Sequence, residues 1–153
     1  MALEHYFLQV YTKFKLSMYQ KIFSRAEDRH EGLSPMENFC AETIYALNCP
    51  TVHEFAEFVH ISAPNAAYKI HNLIRKGYVI KKRSNADKRE YHLEITEKYV
   101  REYGLTYEYV NVVMKRIRER FSEEDTKRFE KILRVIDEEL MPEATVGMPD
   151  VRF

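Results

Sequence analysis

The side chains in this chain best suited to chemistry are amides and cations, which favour hydrogen bonding over bond making. Asn65 and Lys69 stand one helical turn apart. An asparagine amide can pair bidentately with adenine, and a lysine can donate to guanine. Further along, Arg83, Ser84, Asp87, Lys88 and Arg89 crowd into one short basic link. The stretch 62–101 holds ten Lys+Arg against four Asp+Glu, a local charge of +6, in a chain of 153 residues whose 24 Lys+Arg and 24 Asp+Glu cancel. The flanks 1–61 and 102–153 each carry −3. Overall neutrality would argue against a polyanionic partner if the charge were evenly spread. Screening over about 8 Å at physiological ionic strength makes the local +6 the quantity a partner meets.

Catalytic spacing is missing. The sequence has no glycine-rich phosphate loop, nucleophile elbow or His-Glu-x-x-His motif. His5, His30, His53, His60, His71 and His92 are scattered with no pair at i, i+4. The expectation is no metal, no cofactor and no enzyme activity. Cys40 and Cys49 are too few for a disulfide framework, and their spacing would put them on opposite faces of one helix. Inert packing is expected for both, with Cys49 the better candidate for a reactive thiol. The start lacks a basic region followed by an apolar stretch, and no later apolar run is long enough to span a bilayer. These features predict a cytoplasmic, reduced setting with no signal peptide and no membrane contact.

Only four glycines and five prolines occur, and apolar residues recur mostly at helical spacing, so the chain reads as mainly α. Phe7, Val10, Phe14, Met18 and Ile22 share one face of a long first helix. Ser34-Pro35-Met36-Glu37 is a capping box opening a second helix with the stripe Met36, Cys40, Ile44 and Leu47. Thr51-Val52-His53-Glu54 opens a short third helix carrying Phe55, Ala56 and Val59. After a turn at Ile61-Ser62, Ser62 caps a fourth helix with Ala66, Ile70 and Leu73 inward, ending at Lys76-Gly77 in a left-handed cap. Residues 78–83 and 90–95 are β-rich and joined by the basic link, which predicts a hairpin. From Thr96 a fifth helix runs toward Arg120, with Gly104 marking a kink or a close approach, and Ser122 caps a sixth ending at Met141-Pro142.

Two short helices joined by a tight turn and followed by a hairpin form a winged helix-turn-helix. Such a unit lays its second helix in a DNA major groove, while its basic wing contacts the backbone or a minor groove. The expected fold class is therefore mainly α (α+β). The candidate DNA-contacting residues are Ser62, Pro64, Asn65, Tyr68, Lys69 and Asn72 on the fourth helix, and Arg83, Ser84, Asp87, Lys88 and Arg89 on the wing. At Thr51 to Ala56, Ile61-Ser62, Leu73 to Val79, Asp87-Lys88-Arg89 and Ile95 to Lys98, the chain resembles the MarR family of bacterial transcription regulators. The resemblance spans about residues 5 to 140.

It implies one domain in which 34–96 bind DNA, 1–33 and 97–142 supply dimerisation helices, and 143–153 form a loose tail. It also implies a homodimer on a pseudo-palindromic double-stranded operator, acting as a repressor. In that pattern Arg89 enters the minor groove, Asp87 helps orient it, and Arg83 is the basic position at the start of the wing. The family pattern further implies a small aromatic or phenolic effector, for which Tyr11, Phe14, Tyr45, Tyr103 and Tyr107 are candidate wall residues. Tyr99 departs from the glycine frequent in the family after Thr-Glu-Lys, and Ala63-Pro64 is a less polar helix entry than usual. The rival expectation is a winged fold kept as a protein-interaction module without DNA binding.

Overall fold

A computed structural model describes residues 1–28 and 32–143. The tail expected at 143–153 lies, apart from Glu143, outside the described residues. The chain divides into two compact units. Among the described residues, one joins Met1–Lys21 to residues 105–143, and the other is Ile22–Gly104. No helix among the described residues is long and apolar enough to cross a membrane.

The second unit is a winged helix-turn-helix. It contains α2 (Pro35–Ala46), α3 (Val52–Phe58), α4 (Ala63–Arg75), β1 (Val79–Arg83), β2 (Tyr91–Ile95) and α5 (Glu97–Tyr103). The helix starts are local chemistry. Ser34 and Thr51 close full capping boxes with Glu37 and Glu54, and the hydroxyls of Ser62 and Thr96 accept from the amides of Asn65 and Tyr99. Between α3 and α4 the chain turns at His60, whose φ is +54°. His60 N–H donates to Glu57 O and Ile61 N–H to Ala56 O, the paired bonds of a Schellman motif with histidine where glycine is usual. α4 ends in the same way at Gly77, φ +82°, with Gly77 N–H donating to Ile74 O and Tyr78 N–H to Leu73 O.

The hairpin is antiparallel, with Val79 opposite Ile95 and Arg83 opposite Tyr91. A third segment lies against it. Thr51 bridges His92, Leu93 N–H donates to Pro50 O at 2.8 Å, and His92 Nδ1 lies 2.8 Å from Cys49 O. Reaching that position turns the chain through Asn48 and Cys49, both at positive φ. At the root of the wing, Thr96 N–H donates to Tyr78 O and its hydroxyl donates to Gly77 O at 2.7 Å. Lys98 Nζ donates to Lys76 O at 2.7 Å and sits 4.4 Å from the centre of the Tyr78 ring.

The core of this unit gathers Ile44, Phe55, Ile70, Leu73, Val79 and Leu93, all buried. Met36 departs from its expected place on the buried stripe of α2: it is 57% exposed, because that stripe faces the core only from Asn38 onward. Three tyrosines close the core from α5 and the start of β1. Tyr99 stacks on Tyr103, Tyr78 meets both rings edge-on, and each hydroxyl ties to a different segment. Tyr99 donates to the buried Asn38 Oδ1, Tyr78 donates to Glu102 Oε2, and Tyr103 accepts from Leu33 N–H. Tyr99, the departure from the family glycine, therefore joins α5 to α2.

The expected continuous fifth helix is broken. α5 stops at Tyr103, Gly104–Tyr107 form a 3-10 turn, and α6 (Glu108–Arg120) starts afresh. Gly104 is the weak link, since glycine costs about 1 kcal/mol against alanine inside a helix. In the first unit, α1 (Ala2–Asp28) contributes its part through Lys21 and meets α6 by Lys21–Glu108 at 3.1 Å and by the edge-on ring pair Phe14 and Tyr109. α7 (Glu123–Val135), capped by Ser122 as expected, runs into a π turn at Ile136–Leu140. Neither α6 nor α7 buries a residue.

Candidate nucleic-acid interface

Helix α4 is positioned by its two ends. Ser62 Oγ accepts Asn65 N–H at 3.3 Å, and Pro64 occupies the first turn, where a missing N–H costs nothing. With Ala66, Ile70 and Leu73 buried, the helix leaves Pro64, Asn65, Tyr68, His71 and Arg75 exposed, and Tyr68 is 68% exposed. Lys69 and Asn72 are half-buried on the flank toward α2. With Tyr68 and Lys76 they line a groove of about 440 Å³ against Met36, Glu37 and Cys40. The six candidates on α4 therefore fall on two sides. His71 and Arg75, exposed in the middle and last turns, were not among them, although their i, i+4 spacing is visible in the sequence.

The wing loop is built by its own polar side chains. Ser84 Oγ accepts the amides of Ala86 and Asp87, and Ser84 N–H donates to Glu90 O. Asp87 Oδ1 accepts the backbone N–H of Arg89 at 2.9 Å, and Arg83 Nε donates to Lys88 O. Asp87 acts on Arg89 through the main chain, an Asx turn, and no ion pair joins the two side chains. Ser84, Asp87 and Arg83 thus hold the loop, while Lys88 and Arg89 stand exposed on it.

The local +6 is unevenly available. Lys76 pairs with Glu37 at 2.7 Å, Lys82 with Glu94 at 2.7 Å, and Lys98 is engaged at the wing root. The Glu94 carboxylate raises the Lys82 pKa above its ordinary value. Burial pushes the Glu37 carboxyl up, but the Lys76 ammonium and the Ser34 amide outweigh it and hold the pKa below its ordinary value. Among the described residues Lys69, Arg75, Lys81, Lys88 and Arg89 have no carboxylate partner.

Other candidates lie elsewhere. Tyr103 is buried in the winged core, and Tyr45 borders a small cleft with Ile44, Asn48, Cys49 and Leu93. Tyr11, Phe14 and Tyr107 belong to the other unit, with Tyr11 exposed and Phe14 against Tyr109. Burial raises the thiol pKa of Cys40, and burial followed by the Glu94 carboxylate raises that of Cys49, so neither favours the thiolate. Among the described residues no three His, Cys, Asp or Glu side chains group to hold a metal.

Comparison with known proteins bears on the fold. Residues 33–91 match the sequence model of the MarR family. No curated protein matches the chain by sequence. Among solved structures, a point mutant of MepR from a multidrug-resistant S. aureus clinical isolate is similar with TM-score 0.63 and 14% identity, over 89% of this chain and 95% of that one. FabT of Streptococcus pneumoniae in complex with DNA is similar with TM-score 0.60 and 20% identity, over 94% and 98% of the two chains. A MarR family protein of Bacillus stearothermophilus gives 0.61 and 18%, over 92% and 94%. Residues 33–91 therefore match the sequence model of the MarR family, and the chain is similar in fold to solved structures that include a member of that family.

Proposed function

We propose that this chain is a homodimeric, sequence-specific DNA-binding repressor. Each protomer lays α4 in a major groove of a pseudo-palindromic operator and passes its wing along the backbone toward the adjacent minor groove. The observation that most supports this is the wing loop, whose backbone is tied by Ser84 and Asp87 so that Lys88 and Arg89 project with no carboxylate partner. A planar, permanently charged arginine suits the negative potential of a narrow minor groove. Dimerisation through the helical unit is supported by its exposed apolar side chains, among them Leu3, Phe7 and Leu8 on α1 and Phe129, Ile132 and Leu133 on α7. FabT, similar in fold, was solved with DNA bound.

Selection from a random duplex pool supplies the operator, and fluorescence anisotropy at about 150 mM salt measures its affinity. Arg89→Ala is expected to weaken binding at least about tenfold, as for loss of one good groove contact, with the dimer mass unchanged in sedimentation. Unchanged affinity removes the wing assignment. In this reading a small aromatic or phenolic effector shifts operator affinity. Titration with simple phenols and aromatic carboxylates checks it, and operator affinity indifferent to all of them removes that part. Transcription from a promoter carrying the selected site is expected to fall when the protein is added.

A further inference from the structure

We propose that, along α4, His71 reads a base edge and Arg75 a backbone phosphate of the bound duplex, while Lys69 does not read sequence. The inference rests on the DNA-binding reading above and deepens it. Ala66, Ile70 and Leu73 fix the inward side of α4. At 3.6 residues per turn the side opposite carries Pro64, Tyr68, His71 and Arg75, at i, i+4, i+7 and i+11, and all four are exposed. With a rise of 1.5 Å per residue, this stripe extends about 16 Å, the length of roughly five base-pair steps. Lys69 lies off the stripe, half-buried, in the groove it shares with Met36, Glu37 and Cys40 of the α2 segment. A side chain reaching a base edge must project along the axis of approach, and Lys69 projects sideways from it.

His71 follows Pro64 and Tyr68 on the exposed stripe, two turns into α4, and so faces the same groove as the first turn of the helix. Its ring nitrogens can donate to or accept from base edges. Arg75 occupies the last turn, just before the chain leaves at Gly77 toward the wing, and has no carboxylate partner among the described residues. Its position at the exit of the helix suits a phosphate flanking the groove.

The test selects preferred duplexes with the wild-type chain and with His71→Ala, Arg75→Ala and Lys69→Ala. Circular dichroism melting first shows that each variant is folded. His71→Ala is expected to flatten the preference at one base-pair position per half-site, losing about 5- to 150-fold in discrimination there. Arg75→Ala is expected to weaken every sequence alike and to lower the slope of log affinity against log salt by about one. Lys69→Ala is expected to keep the wild-type preferences. A His71→Ala chain with wild-type preferences, an unchanged salt slope in Arg75→Ala, or a position flattened by Lys69→Ala overturns the assignment. A wild-type chain that selects no sequence removes the DNA-binding reading itself, and this assignment with it.

Discussion

In the unit spanning Ile22–Gly104, five secondary-structure elements contribute Ile44, Phe55, Ile70, Val79 and Leu93 to a core that hides them almost completely. In the unit built from Met1–Lys21 and residues 105–143, α6 and α7 hold no fully buried residue, while Leu3, Ile132 and Leu140 remain more than half exposed. The sequence shows apolar residues at helical spacing in both units. The difference is that one set closes on itself within the chain and the other does not. Helices gain most of their stability by packing an apolar face, so the second set calls for surface from outside the chain. A second copy is what the proposed function supplies.

Four substitutions probe the contrast between the two units. Leu73→Ala is expected to have the largest effect, about 2–5 kcal/mol lost in urea denaturation, because it opens a cavity in a closed core. A loss under about 1 kcal/mol would mean that this core is not the seat of stability. Ile132→Asp on α7 is expected to leave the unfolding of the winged unit within about 0.5 kcal/mol of wild type, as for an exposed site, but to convert a dimer to a monomer in sedimentation. A dimer mass that survives the change would place the interface elsewhere.

His60→Gly is expected to stabilise the winged unit by about 1 kcal/mol, since histidine bears the left-handed conformation of the turn at a cost glycine avoids. A loss of stability would show that the imidazole makes a compensating contact. Glu37→Gln is the smallest, about 0.5 kcal/mol at neutral pH for a partly exposed ion pair. Its signature is pH dependence. The Glu37 pKa is held below its ordinary 4.5, so its contribution is present above that value and lost as pH falls through the lowered folded-state one. The variant should therefore lose less stability than wild type on acidification, and parallel curves would deny the Lys76 pairing any role.

How much was legible in the sequence follows the range of the interactions. The caps at Ser34, Thr51, Ser62, Thr96 and Ser122 and the end of α4 at Gly77 rest on contacts within a few residues, and the sequence pattern announced all of them. The bridge from Thr51 to His92 and the left-handed pair Asn48 and Cys49 depend on segments some forty positions apart, and no local signal carries them. The candidate interface shows the same division. The basic character of 62–101 was plain, but which cations are engaged was settled by Glu37 and Glu94, distant in sequence from Lys76 and Lys82. Helical periodicity separated the buried side of α4 from the rest, but it did not tell the outer stripe from the flank that α2 covers.

The wing root has a mechanical consequence. Thr96 and Lys98 fasten the start of α5 to the carbonyls of Gly77 and Lys76, at the point where α4 hands over to β1. α4, the hairpin and α5 are thus riveted at one joint, and a lever fixed at its fulcrum turns as a whole. A signal arriving through α5 would swing the reading head rigidly and leave its internal shape intact. Under the proposed function, the footprint within one half-site would then stay constant across regulatory states, and only the separation between two half-sites would be adjustable.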